Sequence, residues 1–221
     1  MTTNNNHEEE ALFSIWRSYG VVMAMLRDRG YDVSKYVPME QEKFIEWAGS
    51  TVVDARKEIS PLVINGAGKK PIAVFWRETL GSQDMKQIAE QMDNVGTKNA
   101  IAIYSNKITP HATSAIRCLR MNKIVVETFS EQEVQVNITE HEYVPKHRIC
   151  TPAEKEVIMK GYCITRKEQL QQIRTTDSVA RYYGMVPGML IEIDRPSETM
   201  PEINIDGKKV TLMDLSYRIV V

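Results

Sequence analysis

The chain has 221 residues, 43% of them apolar and 26% charged, with 28 Lys and Arg against 29 Asp and Glu. That is enough for one large core or two smaller ones, and it is the composition of an ordinary soluble globular protein. A net charge of −1 excludes a global basic field for nucleic acid, and no apolar run approaches the roughly 20 residues that span a bilayer. The polar, acidic start MTTNNNHEEE is the reverse of a secretory or mitochondrial signal. Cys118, Cys150 and Cys163 lie far apart and form no C-x-x-C pair, so they read as reduced thiols. Cytosol or nucleus is the compartment these features predict.

Residues 1–10 are expected to be a disordered leader. Leu12, Ile15, Tyr19, Val22, Met23 and Leu26 then recur at spacings of three and four, which predicts an amphipathic helix closed by Gly30. A shorter helix follows Pro38 and carries Phe44, Ile45 and Trp47. VINGAGKK, residues 63–70, lacks the G-x-x-x-x-G-K-[ST] spacing of a phosphate loop and reads as a solvated turn. From Pro71 the pattern alternates. PIAVFW, AIAIY and KIVVETF read as strands, with SQDMKQIAEQM and HATSAIRCLR as the helices between them. The order predicts a small α/β layer with a partly parallel sheet.

The character changes near residue 137, where VNITEHEYVPKHRIC is strand-like but broken by Pro145. Thr151-Pro152-Ala153-Glu154 is a capping box with proline in the first turn, starting a helix that ends near Gly161. Asp177 and Ser178 start a second, short helix whose Val179, Tyr182 and Tyr183 face inward. The predicted fold class is α/β in the first part and α+β overall. Residues 11–137 form one domain and 138–221 another, with an inserted hairpin near 201–214.

No candidate chemistry stands out. His141 lies between Glu140 and Glu142, yet its spacing to His147 matches no helical H-E-x-x-H site, so no metal centre is predicted. Cys150 and Cys163 have no identifiable base and read as buried small apolar residues. A metal-dependent nuclease needs an acid on one strand and an acid-x-Lys pair on the next. PIAVFW and AIAIYS hold no acid, and Glu127 is a lone carboxylate. In ITPHATSAI, Thr109 caps and Pro110 opens a helix whose free N–H groups can meet a phosphate, with Arg117, Arg120 and Lys123 nearby. An ordinary capped helix with a solvated face is the competing reading.

ITEHEYVPKH at 138–147, DSVARYYG at 177–184, RPSET at 195–199 and SYRIV at 216–220 resemble the fifth shared subunit of eukaryotic nuclear RNA polymerases. The C-terminal part is also similar to a small subunit of archaeal RNA polymerase. WRSYGVVMAMLRDRGYDV and ITPHATSA echo the family's N-terminal domain. The resemblance implies a nuclease-like α/β jaw domain facing downstream DNA and a small mixed α+β assembly domain packed on the largest subunit. It implies a nuclear, non-catalytic subunit without a cofactor, among neighbouring small subunits, touching duplex DNA weakly. By the same resemblance Thr109, Pro110, Ser114, Ala115 and Arg117 are DNA-proximal. His141, Pro145, His147, Asp177, Arg181, Tyr182, Arg195 and Glu198 belong to the polymerase interface.

The chain departs from the family pattern in three places. It has Thr-Pro-His-Ala-Thr-Ser-Ala for the usual Thr-Pro-Ser-Ala, LQQI at 170–173 for Leu-Pro-Arg-Ile, and about ten added residues between Thr199 and Ser216. In that insert Asp206-Gly207 is a good hairpin turn. The hairpin is either a surface decoration or a device that selects a polymerase. A free-standing adaptor that borrowed the assembly fold is the competing function.

Overall fold

The computed structural model describes residues 2–36, 40–49, 51–66, 68, 70–196, 202–205, 208–211 and 213–221. The chain divides into two compact units, Met1–Asn137 and Ile138–Val221.

The N-terminal unit begins with helix α1 (Thr2–Asp28). The leader expected to be disordered through residue 10 is therefore helical from Thr2. Glu8, Glu9, Glu10 and Ala11 are strong helix formers, and they carry the winding outward from the apolar stripe. Gly30 ends the helix at φ 82°, where the N–H of Tyr31 reaches back to the Leu26 carbonyl at 2.9 Å. That left-handed position is the one glycine takes without Cβ strain. Helices α2 (Gln41–Ala48) and α3 (Val52–Glu58) follow.

A four-stranded sheet comes next, built from β1 (Leu62–Ile64), β2 (Ile72–Leu80), β3 (Asn99–Ile108) and β4 (Val125–Ser130) in that spatial order. β1 is antiparallel to β2, while β2, β3 and β4 run parallel. Helices α4 (Ser82–Val95) and α5 (Pro110–Met121) make the crossovers. Residues Ile72 to Trp76 of β2 are all buried, which is the mark of a strand covered on both faces. Ala73 and Phe75 pack with Met85, Ile88, Met92 and Ala112 of α4 and α5. Trp76 meets the Tyr19 ring at 6.2 Å, and Tyr19 meets Phe44 and Trp47 at 5.5 and 5.8 Å. Burial pushes the Tyr19 phenol up to about 12, and its hydroxyl has no hydrogen-bond partner.

The C-terminal unit holds a second four-stranded sheet, made of β5 (Lys146–Ile149), β7 (Leu190–Pro196), β10 (Met213–Val220) and β6 (Gln171–Ile173) in spatial order. β6 runs parallel to β10, and the other pairs are antiparallel. Helices α6 (Pro152–Gly161) and α7 (Ser178–Tyr182) complete the unit. Ile173, Ala180, Met185, Ile191, Ile193 and Val220 form its core. Between β7 and β10, β8 (Glu202–Ile205) pairs antiparallel with β9 (Lys208–Thr211), Ile205 opposite Lys208. The insert is thus a hairpin; its Asp206-Gly207 turn lies outside the described residues. The overall architecture is two-domain α+β, with the α/β order in the first unit.

Cys150 is buried, but Cys163 is exposed, against expectation. It follows the end of α6 in a turn with φ 53°, a position that faces solvent rather than the core.

Candidate interaction surfaces

In the C-terminal unit, helix α7 owes its position to its two ends. Asp177 Oδ1 accepts from the N–H groups of Val179 (2.9 Å) and Ala180 (3.4 Å). At the other end Gly184 has φ 62°, and the Met185 N–H closes on the Ala180 carbonyl at 2.9 Å. Val179, Ala180 and Tyr182 are buried, and the Tyr182 and Tyr183 rings meet edge to face at 5.1 Å. A helix of five residues has little stability apart from its caps and packing. Asp177→Ala is expected to cost about 1 kcal/mol, read as a shift in the thermal midpoint of the full chain.

Pro145 and His147, from one segment, converge with Asp177 and Arg195 from two others. His147 Nδ1 donates to the Pro145 carbonyl at 2.7 Å, which fixes the neutral ring's tautomer. Burial pushes the His147 imidazole down, the Pro145 bond and Asp177 oppose that, and Arg195 and Arg218 reinforce it. Arg218 is a member of this cluster that sequence reasoning did not single out, although it stands inside the SYRIV motif. His141 is exposed and packs its ring against Tyr143 at 5.7 Å. Arg181 is half-buried. Tyr182 is only 4% exposed, so it serves the module's interior. Glu198 lies outside the described residues.

The opposite face of the same sheet carries a charge clamp that the sequence did not reveal. Arg148 binds Glu192 through Nε at 3.0 Å and Nη2 at 3.1 Å, and Glu154 through Nη1 at 2.8 Å. Glu154 Oε2 accepts from the Thr151 N–H at 2.7 Å, and Glu192 accepts from the Tyr217 hydroxyl at 3.3 Å. The capping box is therefore tied to β5, β7 and β10. The Thr151 backbone bond, then Arg148, hold the Glu154 carboxyl down at about 2, against an ordinary 4.5. A carboxylate with a depressed pKa stabilises the fold above its unfolded value, and that contribution is lost as pH falls through the folded value. NMR titration of the Glu154 carboxyl is expected to give a midpoint near 2. In Arg148→Ala the midpoint should rise but stay below 4.5, because the Thr151 bond remains.

In the N-terminal unit, α5 starts as its sequence predicts. Thr109 Oγ1 accepts from the Ala112 N–H at 3.2 Å, and the Thr109 N–H donates to the Leu80 carbonyl at 2.9 Å. That second bond anchors the helix start to the end of β2. Pro110, His111, Ser114 and Arg117 are exposed, whereas Ala115 packs against the core. Glu127 is not idle: Arg29, its side chain 6% exposed, grips it bidentately at 3.0 and 2.7 Å. A carboxylate held this way is committed to the fold, which removes the one acid the nuclease reading had on β4. Glu131 is likewise bound, by Ser14, Ser105 and Arg56.

Both units spend their well-placed carboxylates on arginines and helix caps and turn capped helices and a charged sheet face outward. That defines a protein of two structural modules, each with its own sheet and core. Residues 9–92 match the family model for RNA polymerase Rpb5, N-terminal domain, and residues 136–205 match RNA polymerase Rpb5, C-terminal domain. The chain belongs to the RNA polymerase Rpb5 family. It is 34% identical to the DNA-directed RNA polymerases I, II, and III subunit RPABC1 of Caenorhabditis briggsae, over 97% of this chain and 99% of the relative. The namesake from Caenorhabditis elegans is 33% identical over the same shares, and that from Dictyostelium discoideum 35% identical over 80% of this chain and 88% of its own.

Proposed function

We propose that the chain is a non-catalytic structural subunit of DNA-directed RNA polymerase, at work in the nucleus. Residues 138–221 are the assembly domain, docking on the largest subunit and its small neighbours through the surface around Pro145, His147, Asp177, Arg181 and Arg195. Residues 11–137 are the jaw domain, with Thr109, Pro110, Ser114 and Arg117 turned toward the backbone of downstream duplex. Nucleotide addition belongs to the large subunits. The observation that carries this reading is identity of about one third with named polymerase subunits along nearly the whole length of both units. Sedimentation of an extract from the native cells tests it. The chain should travel with the polymerase large subunits, whereas a separate, light pool would favour the adaptor reading.

The β8–β9 hairpin is a surface elaboration on this reading. Pro196 and Met213 are already paired, so removing residues 201–212 leaves four residues to close β7 onto β10. Recovery of polymerase subunits by the shortened chain is expected to equal that of the full chain. Loss of one polymerase's subunits alone would instead make the hairpin a selector.

A further inference from the structure

The α7-facing side of the C-terminal sheet gathers three basic side chains, His147, Arg195 and Arg218. His147 stands opposite Ile193 in the β5–β7 pairing, and Arg218 stands opposite Ile191 in the β7–β10 pairing. Arg195 lies two residues beyond Ile193 on β7. Paired residues, and residues two apart on a strand, share a face. His147, Arg195 and Arg218 therefore rise from the side on which Ile191 and Ile193 pack. Both guanidiniums act on the His147 ring, as does Asp177, and a second acid, Asp214, stands opposite Arg195 in the β7–β10 pairing. Asp177 is already engaged, since its Oδ1 takes the N–H groups that start α7.

The two faces of the sheet differ in how charge is met. Arg148 satisfies its fork with Glu192 and Glu154. Among the described residues, neither Arg195 nor Arg218 has a carboxylate at ion-pair distance, and Arg218 Nε is buried without a hydrogen-bond partner. A half-buried donor left unmade costs free energy that an incoming acceptor restores. A guanidinium fork fits a planar carboxylate best.

We propose that this face is a carboxylate-binding site, in which an Asp or Glu side chain of a neighbouring polypeptide seats between Arg195 and Arg218 beside His147. The neighbour's identity as another polymerase subunit rests on the function proposed above.

The test starts from the full chain, tagged and expressed in its native cells. Arg195→Gln with Arg218→Gln should lower retention of the polymerase large subunits by roughly tenfold or more at moderate salt. The thermal midpoint of the free double variant should not fall, because neither arginine has an ion pair to lose; a marked fall would make the arginines structural and overturn the proposal. In a second arm, Arg218→Lys is treated with a carbodiimide, which condenses an amine with a carboxylate in contact. An amide to an acidic residue of another subunit supports the site, and an amide to Asp177 overturns it. Equal retention by the wild-type and double-variant chains sinks the carboxylate site while the subunit reading stands. Retention by the double variant with lost affinity for a short DNA duplex would assign the cluster to phosphate and also overturn the proposal. Failure of the wild-type chain to retain any polymerase subunit removes the subunit reading and this site with it.

Discussion

Glu131→Ala should destabilise the N-terminal unit by about 3–5 kcal/mol, the range seen when one member of a buried ion pair is removed. Glu131 follows β4, and its side chain is 8% exposed beside that of Arg56 at 17%. Its carboxylate accepts from Ser14 of α1 and from Ser105 of β3, and it faces Arg56 of α3 at 3.5 Å. Gln135 closes the arrangement by donating to the Ser14 carbonyl at 3.0 Å and to its hydroxyl at 2.7 Å. Alanine would leave the Arg56 charge buried without a counter-ion, next to an Nε that already lacks a partner. Glu131→Gln retains volume and an acceptor, so it should cost less, about 1–3 kcal/mol. The three tryptophans, Trp16, Trp47 and Trp76, all lie in this unit. Guanidinium unfolding followed by tryptophan fluorescence therefore reports on it alone. A shift in midpoint equal for the two variants would show that the lost charge carries the whole effect and that the volume and acceptor kept by glutamine contribute nothing.

Trp76→Ala is the second large effect, expected at about 3–5 kcal/mol. Trp76 is 1% exposed on the central strand β2, and its Nε1 donates to Ser18 Oγ of α1 at 3.4 Å. It floors the aromatic cluster in which Tyr19, Phe44 and Trp47 meet at centroid separations of 5.5 to 6.0 Å. No single neighbour can fill the volume of an indole, so a cavity remains beneath α1 and α2. Trp47 fluorescence should report an unfolding midpoint well below wild type. Trp76→Phe keeps most of the volume and should recover more than half of the loss.

Local signals in the sequence were sufficient for much of this fold. The strand–helix alternation after Pro71, the caps at Thr109, Thr151 and Asp177, and the glycine ending α1 are each decided by neighbours within one turn. Helix α3 was not legible. Its VVDARKE opens with β-branched residues, and what holds it is Ala55 buried in the unit and Thr51 capping its start. The charge pairs were equally hidden. Glu127 looks solitary because Arg29 is 98 residues away, and the Arg148–Glu192 pair spans 44. Arg218 illustrates the same limit at the candidate surface. SYRIV marks it as part of a motif, but only the register of β10 on β7 brings it to the side of Arg195 and His147.

The measurement that bears most directly on the central claim is affinity purification of the tagged full chain from its native cells at moderate salt, with mass spectrometry of what is retained. The large subunits of nuclear DNA-directed RNA polymerase are expected in the eluate at near-stoichiometric amounts. An eluate with the chain intact and no polymerase subunit would contradict the claim.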